Sequence, residues 1–118
     1  IPKVIIDVPM PISYISTKLV EQLSLLEPFG KGNTKPIFAQ KGLRVLSSRV
    51  LGKNRNVAKL QLSDSTGCVI EAVYFGEADE FINEVKNSSS VAVTYYPEIN
   101  RYQGRETLQI VIRNYLTE

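Results

Sequence analysis

From Leu43 onward the chain is written in period two, with one interruption of helical period between its third and fourth extended runs. That order of elements leaves few folds open. Leu43 to Leu51 predicts a long strand, and Gly52-Lys53-Asn54-Arg55-Asn56 predicts a turn into a second, Val57 to Ser63. There Leu60 and Leu62 alternate with Lys59 and Gln61, the pattern of a strand wet on one face. Asp64-Ser65-Thr66-Gly67 turns into a third strand, Cys68 to Phe75, which Gly76 ends. Glu77 to Lys86 then has the period of a helix: Ala78, Phe81, Ile82 and Val85 make an apolar stripe, with acids at its start and Lys86 at its end, as the helix dipole favours. Asn87 and three serines lead to a fourth strand, Val91 to Tyr96, with Val91, Val93 and Tyr95 on its core side. A turn over Asn100 to Gly104 leads to a fifth, Thr107 to Tyr115, in which Leu108, Ile110 and Ile112 alternate with Gln109, Val111 and Arg113. A three-strand meander, a helix and a hairpin predict a mainly β, five-stranded OB-fold barrel over residues 40–118, plugged at one end by the helix.

Residues 1–39 read as an arm leading into that barrel. Lys3 to Val8 predicts a short strand closed by Pro9 and Pro11, which cannot continue a ladder. A helix follows, with Ser16 as N-cap, an Ile15–Val20 staple, and Leu19, Val20, Leu23 and Leu26 on one face; Pro28 and Gly30 end it. Phe29 to Ala39 reads as a loop. The start at Ile1, running at once into β-branched residues, suggests a piece of a longer polypeptide, to which the arm would reach back.

Composition removes several functions. The chain has no His, so Ser-His, Cys-His and His-metal sites are excluded. Its single Cys68 cannot form an internal disulfide and lies in an apolar run, where a thiol behaves as a small buried hydrophobe. No apolar run approaches the roughly 20 residues of a membrane span. A reducing, cytoplasmic setting is the simplest expectation, and no cofactor is expected in this chain.

The charge is segregated. Residues 28–59 carry eight of the fourteen Lys and Arg residues and no acid; Leu60 to Glu98 carries seven acids against Lys86; and Ile99 to Arg113 turns basic again. A local positive field attracts a polyanion even when distant acids cancel it in the total. In OB-folds, ligands lie across the outer face of strands two and three, between the loops joining strands one to two and four to five. Those loops hold Lys53 and Arg55 in one case, and Arg101, Tyr102 and Arg105 in the other. Single strands are bound by cations that follow the phosphates and rings that stack the bases. Tyr102, flanked by arginines, is the best stacking candidate; otherwise it covers the barrel rim. Lys59 and Gln61 would floor the groove, although Gln61 also fits a merely solvated face. Arg49 and Arg113 are lateral candidates, while Tyr74 and Phe75 are expected in the core or against the helix and Tyr95 in the core. Gly30 and Gly32, with Lys31 and Lys35, either cradle a phosphate or only join domains.

The segment Leu26-Glu27-Pro28-Phe29-Gly30-Lys31-Gly32-Asn33-Thr34-Lys35-Pro36-Ile37-Phe38 resembles the RecJ family of single-strand-specific DNA exonucleases, whose Pro-aromatic-Gly-x-Gly-x-x-x-Pro-x-Phe signature it meets. Lys59-Leu60, Ala72-Val73-Tyr74-Phe75, and Ile99-Asn100 with Gly104, Leu108 and Gln109 extend the likeness over nearly the whole chain. Where many relatives have His-Leu before the strand-two lysine, this chain has Val57-Ala58. The resemblance implies a bacterial 5′-to-3′ exonuclease of recombination and repair as the parent. Its Asp-His-His-type core would hold Mn²⁺ or Mg²⁺ and cut, while this domain binds single-stranded DNA and does not cut. Implied partners are that DNA, the catalytic domains of the same polypeptide and single-strand-binding protein, with no membrane. The competing expectation is a scaffold domain that docks on the nuclease core or on single-strand-binding protein.

Overall fold

The computed structural model describes residues 8–9, 12, 15–24 and 37–117. Most of the predicted first strand lies outside them, as do Leu26, the helix end at Pro28 and Gly30, and the glycine-containing loop with Lys31 and Lys35. The elements are β1 (Val8–Pro9), α1 (Thr17–Ser24), β2 (Phe38–Leu51), β3 (Val57–Ser63), β4 (Val69–Phe75), α2 (Ala78–Lys86), β5 (Val91–Tyr102) and β6 (Arg105–Thr117). β2, β3 and β4 form an antiparallel meander; β6 joins β4 in parallel, β5 joins β6 antiparallel, and β5 returns to β2, closing a ring. That five-strand ring, with α2 between its third and fourth strands, is an OB-fold.

The alternation seen in the sequence places the core. Ala58, Leu60, Leu62, Ile70, Ala72, Val93, Tyr95, Ile110 and Ile112 all face inward and are buried. α2 closes one end: Phe81 is 1% exposed and stacks on Tyr74, with ring centroids 4.1 Å apart, and meets Tyr115 edge-on at 4.7 Å. Burial and a 2.6 Å hydrogen bond to Glu84 push the Tyr115 phenol well above its ordinary pKa. At the other end Ile12 and Ile15 lie beside Ile70, Ile99 and Leu108. α1 begins as its cap predicts: the Leu19 N–H donates to Ser16 Oγ at 3.1 Å, and Ile15 and Val20 are both buried in the barrel's core cluster.

Two strands and the turn between β5 and β6 differ most from the predicted ones. β2 starts at Phe38 rather than Leu43, because Phe38 pairs with Val8 on one side and Tyr95 on the other. The polar run Gln40-Lys41-Gly42 hides this strand in the sequence. The register shifts between Gln40 and Leu43, and Gly42 takes φ +71°, a bulge geometry open to glycine at no steric cost. β5 runs through Pro97 to Tyr102. Past Tyr95 it has no second described strand beside it, so the missing proline N–H breaks no ladder. Asn100, Arg101 and Tyr102 are therefore strand residues rather than turn residues. The turn is Gln103-Gly104, both at positive φ (50° and 77°), the geometry of a two-residue type I′ hairpin.

The β3–β4 turn is organised by Asp64. Its Oδ1 accepts from the Thr66 hydroxyl at 2.6 Å, the Thr66 N–H at 2.9 Å and the Cys68 N–H at 2.9 Å. Led by the Thr66 hydroxyl, these bonds hold the carboxyl below its ordinary pKa despite burial, which acts the other way. A depressed carboxylate contributes stability that is complete above its unfolded value, near pH 4, and lost as pH falls through the folded value. Asp64→Asn should therefore flatten the acid limb of stability below about pH 4. Urea midpoints measured across that range check it: an unchanged slope would show that Asp64 is not a source of that limb.

Candidate nucleic-acid interface

Because β-strand side chains alternate, the residues pointing away from the barrel interior stand in rows across the sheet, Val73, Tyr96 and Gln109 among them being buried all the same. One row runs Ser47, Gln61, Glu71, Gln109, Glu98; the next runs Arg49, Lys59, Val73, Val111, Tyr96; a third holds Leu51, Val57 and Phe75. Between β2 and β4 the face is hollowed into a groove of about 310 Å³ lined by Arg49, Lys59, Gln61, Glu71 and Ser47.

The face is electrically lopsided. Arg49 and Lys59 stand side by side on β2 and β3, with exposed Lys53 in the loop at their end. Glu71 and Glu98 stand on β4 and β5. Glu98 accepts from Gln109 Nε2 at 2.6 Å, and Lys59 Nζ approaches Glu71 at 3.8 Å, too far for a hydrogen bond. A polyanion would therefore track the β2–β3 side and keep its uncharged parts towards β4.

Phe75 departs from the expectation that it, like Tyr74, lies in the core or against the helix. Tyr74 packs on Phe81, whereas Phe75 is 62% exposed on the outer face, in line with Leu51 and Val57. Neighbours on a strand point to opposite faces, so the pair could not both be inside. That alternation was the signal available beforehand.

The two charged loops bracket the face rather than meeting. The β2–β3 loop lies at the Phe75 end, and the β5–β6 hairpin extends beyond the Val69 end. Lys53 and Arg105 are exposed and have no acid partner among the described residues. Tyr102 is 68% exposed at the hairpin tip. Arg113 is exposed on β6, away from the groove lining. Besides the looser Lys59–Glu71 ion pair, two predicted cations are hydrogen-bonded to acids. Arg101 Nε donates to Glu106 Oε2 at 2.6 Å across the hairpin. Arg55 makes a two-pronged pair with Asp79 at the start of α2, at 2.6 and 2.7 Å. That hydrogen bonding raises the Arg55 pKa and lowers that of Asp79. Arg55 also takes φ +52°, and the loop starts at Gly52, where a Cβ would come within 2.7 Å of Asn56 Oδ1. Asp79→Asn should release Arg55 and raise affinity for a polyanion about two- to five-fold, with little change in thermal stability because the pair is exposed. Titration of both forms with a labelled oligonucleotide checks this; unchanged affinity would mean that Arg55 does not face the ligand.

A closed five-strand barrel with an end-plugging helix, its outer face cationic on one side and bracketed by two projecting loops, defines an OB-fold domain. The family model described as the RecJ OB domain matches residues 6–114, nearly the whole chain, and the chain belongs to that family. A comparison with curated proteins gives no significant match. Among the described residues no three His, Cys, Asp or Glu side chains are grouped to hold a metal ion, and no helix is long and apolar enough to cross a membrane.

Proposed function

We propose that the outer face of β2, β3 and β4 binds single-stranded DNA and positions it for the catalytic core of a RecJ-like 5′-to-3′ exonuclease acting in recombination and repair. The observation that carries the reading is the juxtaposition of Arg49 and Lys59 with exposed Phe75 on one face. Phosphates follow the cations while a base stacks on the ring, an arrangement that needs unpaired bases and so favours single strands over duplex. Lys53, Gln61, Tyr102 and Arg105 extend the contact into the bracketing loops, and Arg55 and Arg101 join it when their acids release them. The Mn²⁺ or Mg²⁺ that cuts the strand would reside in the nuclease core.

Fluorescence anisotropy of labelled single-stranded and duplex oligonucleotides at several salt concentrations tests this. Binding should favour the single strand and fall with a log–log salt slope of about −0.7 per phosphate neutralised. Lys59→Ala should shallow that slope by about 0.7. No binding, or equal binding to both forms, would leave the second reading: docking on the nuclease core or single-strand-binding protein. An apolar groove of about 450 Å³ beside Val93, Tyr115 and exposed Leu116 favours that alternative.

A further inference from the structure

Beyond the groove on the outer face, the cationic side of the domain continues around β2. From Arg44 to Leu51, β2 pairs with β3 alone; its other edge, past the Leu43–Val91 pair, has no strand beside it among the described residues. Between that edge and the end of α2 lies a second groove of about 710 Å³, lined by Arg44, Leu46, Ser47, Ser48, Lys86 and Ser88 among others, with no acid in its lining. It shares Ser47 and Ser48 with the groove on the face, so the two are continuous. The register shift between Val45 and Ser47 makes the bend, and turns Leu46 out to 55% exposure. Arg44 and Lys86 are exposed and have no acid partner among the described residues.

A helix C-terminus ordinarily repels anions through its free carbonyls. Here the Val85 carbonyl accepts from the Ser88 hydroxyl at 2.9 Å and from the Ser88 N–H at 3.4 Å, and Asn87 N–H also turns back to it. That end of the groove is thereby less electronegative, and Lys86 dominates it.

We infer that this second groove is a phosphate track, in which Arg44 and Lys86 hold the backbone of a single strand after it leaves the outer face over the β2 bulge. The inference rests on the proposed DNA-binding face. It predicts a footprint longer than the face alone can fill.

The test is the double variant Arg44→Ala/Lys86→Ala, titrated with labelled oligothymidylates of about five and about fifteen nucleotides, lengths chosen around the site sizes of OB folds. The short oligonucleotide, which fits on the face, should bind as it does to the unaltered protein. The long one should lose roughly ten-fold in affinity, and its salt slope should become shallower by about 1.4, the value for two phosphate contacts to a single strand. Equal loss for both lengths, or no loss for either, overturns the track while leaving the face intact. Failure of the unaltered protein to bind either oligonucleotide overturns the face and the track together. Both substituted side chains are exposed, so a far-UV spectrum matching the unaltered protein is the expected control.

Discussion

Phe81→Ala is expected to lower the unfolding free energy by about 3–5 kcal/mol, the usual cost of truncating a buried aromatic to alanine. Phe81 is 1% exposed and is the centre of an aromatic cluster, stacked on Tyr74 and edge-on to Tyr115. Its removal leaves a cavity beneath α2 that the closed barrel cannot collapse to fill. The loss also strikes Tyr115, whose phenol is held between the cluster and Glu84. Because domains are stable by about 5–15 kcal/mol in total, much of the margin would go, and the melting temperature should fall by roughly 10–20 °C. Circular dichroism melts measure this. A shift of a few degrees would mean that α2 is an ornament on the barrel rather than its plug.

Phe75→Ala is expected to do the opposite: leave the melting temperature nearly unchanged and weaken single-stranded DNA binding by about 1–3 kcal/mol, the usual worth of one base stacked on one ring. The ring is 62% exposed and stands outside the core cluster, so little packing is lost. Its neighbours in the row, Leu51 and Val57, are aliphatic and offer no stacking face in its place. Phe75→Tyr should retain most of the affinity and Phe75→Leu should not, which separates stacking from simple apolar contact. If alanine binds as well as phenylalanine, bases do not sit at this end of the face, and Tyr102 alone would carry the stacking. The paired result from two phenylalanines a few residues apart tests the division between inner and outer face directly.

The OB-fold was legible because each level of the sequence agreed with it. Period-two runs set the strands, the stripe of Ala78, Phe81, Ile82 and Val85 set the plug, and Gly76 marked the change between them. Lys59 and Gln61 could be placed outward on β3 from alternation alone, and that is where they stand. The same rule, applied to Tyr74 and Phe75, would have put Phe75 outside. The early start of β2 was hidden because Gln40, Lys41 and Gly42 look like loop residues when their partners are unknown. Tyr95 and Val8, which pair with that region, lie far away in sequence.

Inner and outer faces, the turn residues and the surplus of cations on residues 28–59 were thus fixed by local chemistry: side-chain alternation, glycine at positive φ and the count of charges. The pairing of strands with one another and with α2 decided the rest. It set Asp79 against Arg55, and the hairpin's register set Glu106 against Arg101, so two of the predicted contacts are engaged elsewhere. It also placed Arg49 beside Lys59 and brought Lys86 to the groove that Arg44 lines. Residue spacing specifies which way a side chain points, but which charge it meets depends on the register and packing of strands and helices that only the tertiary structure sets.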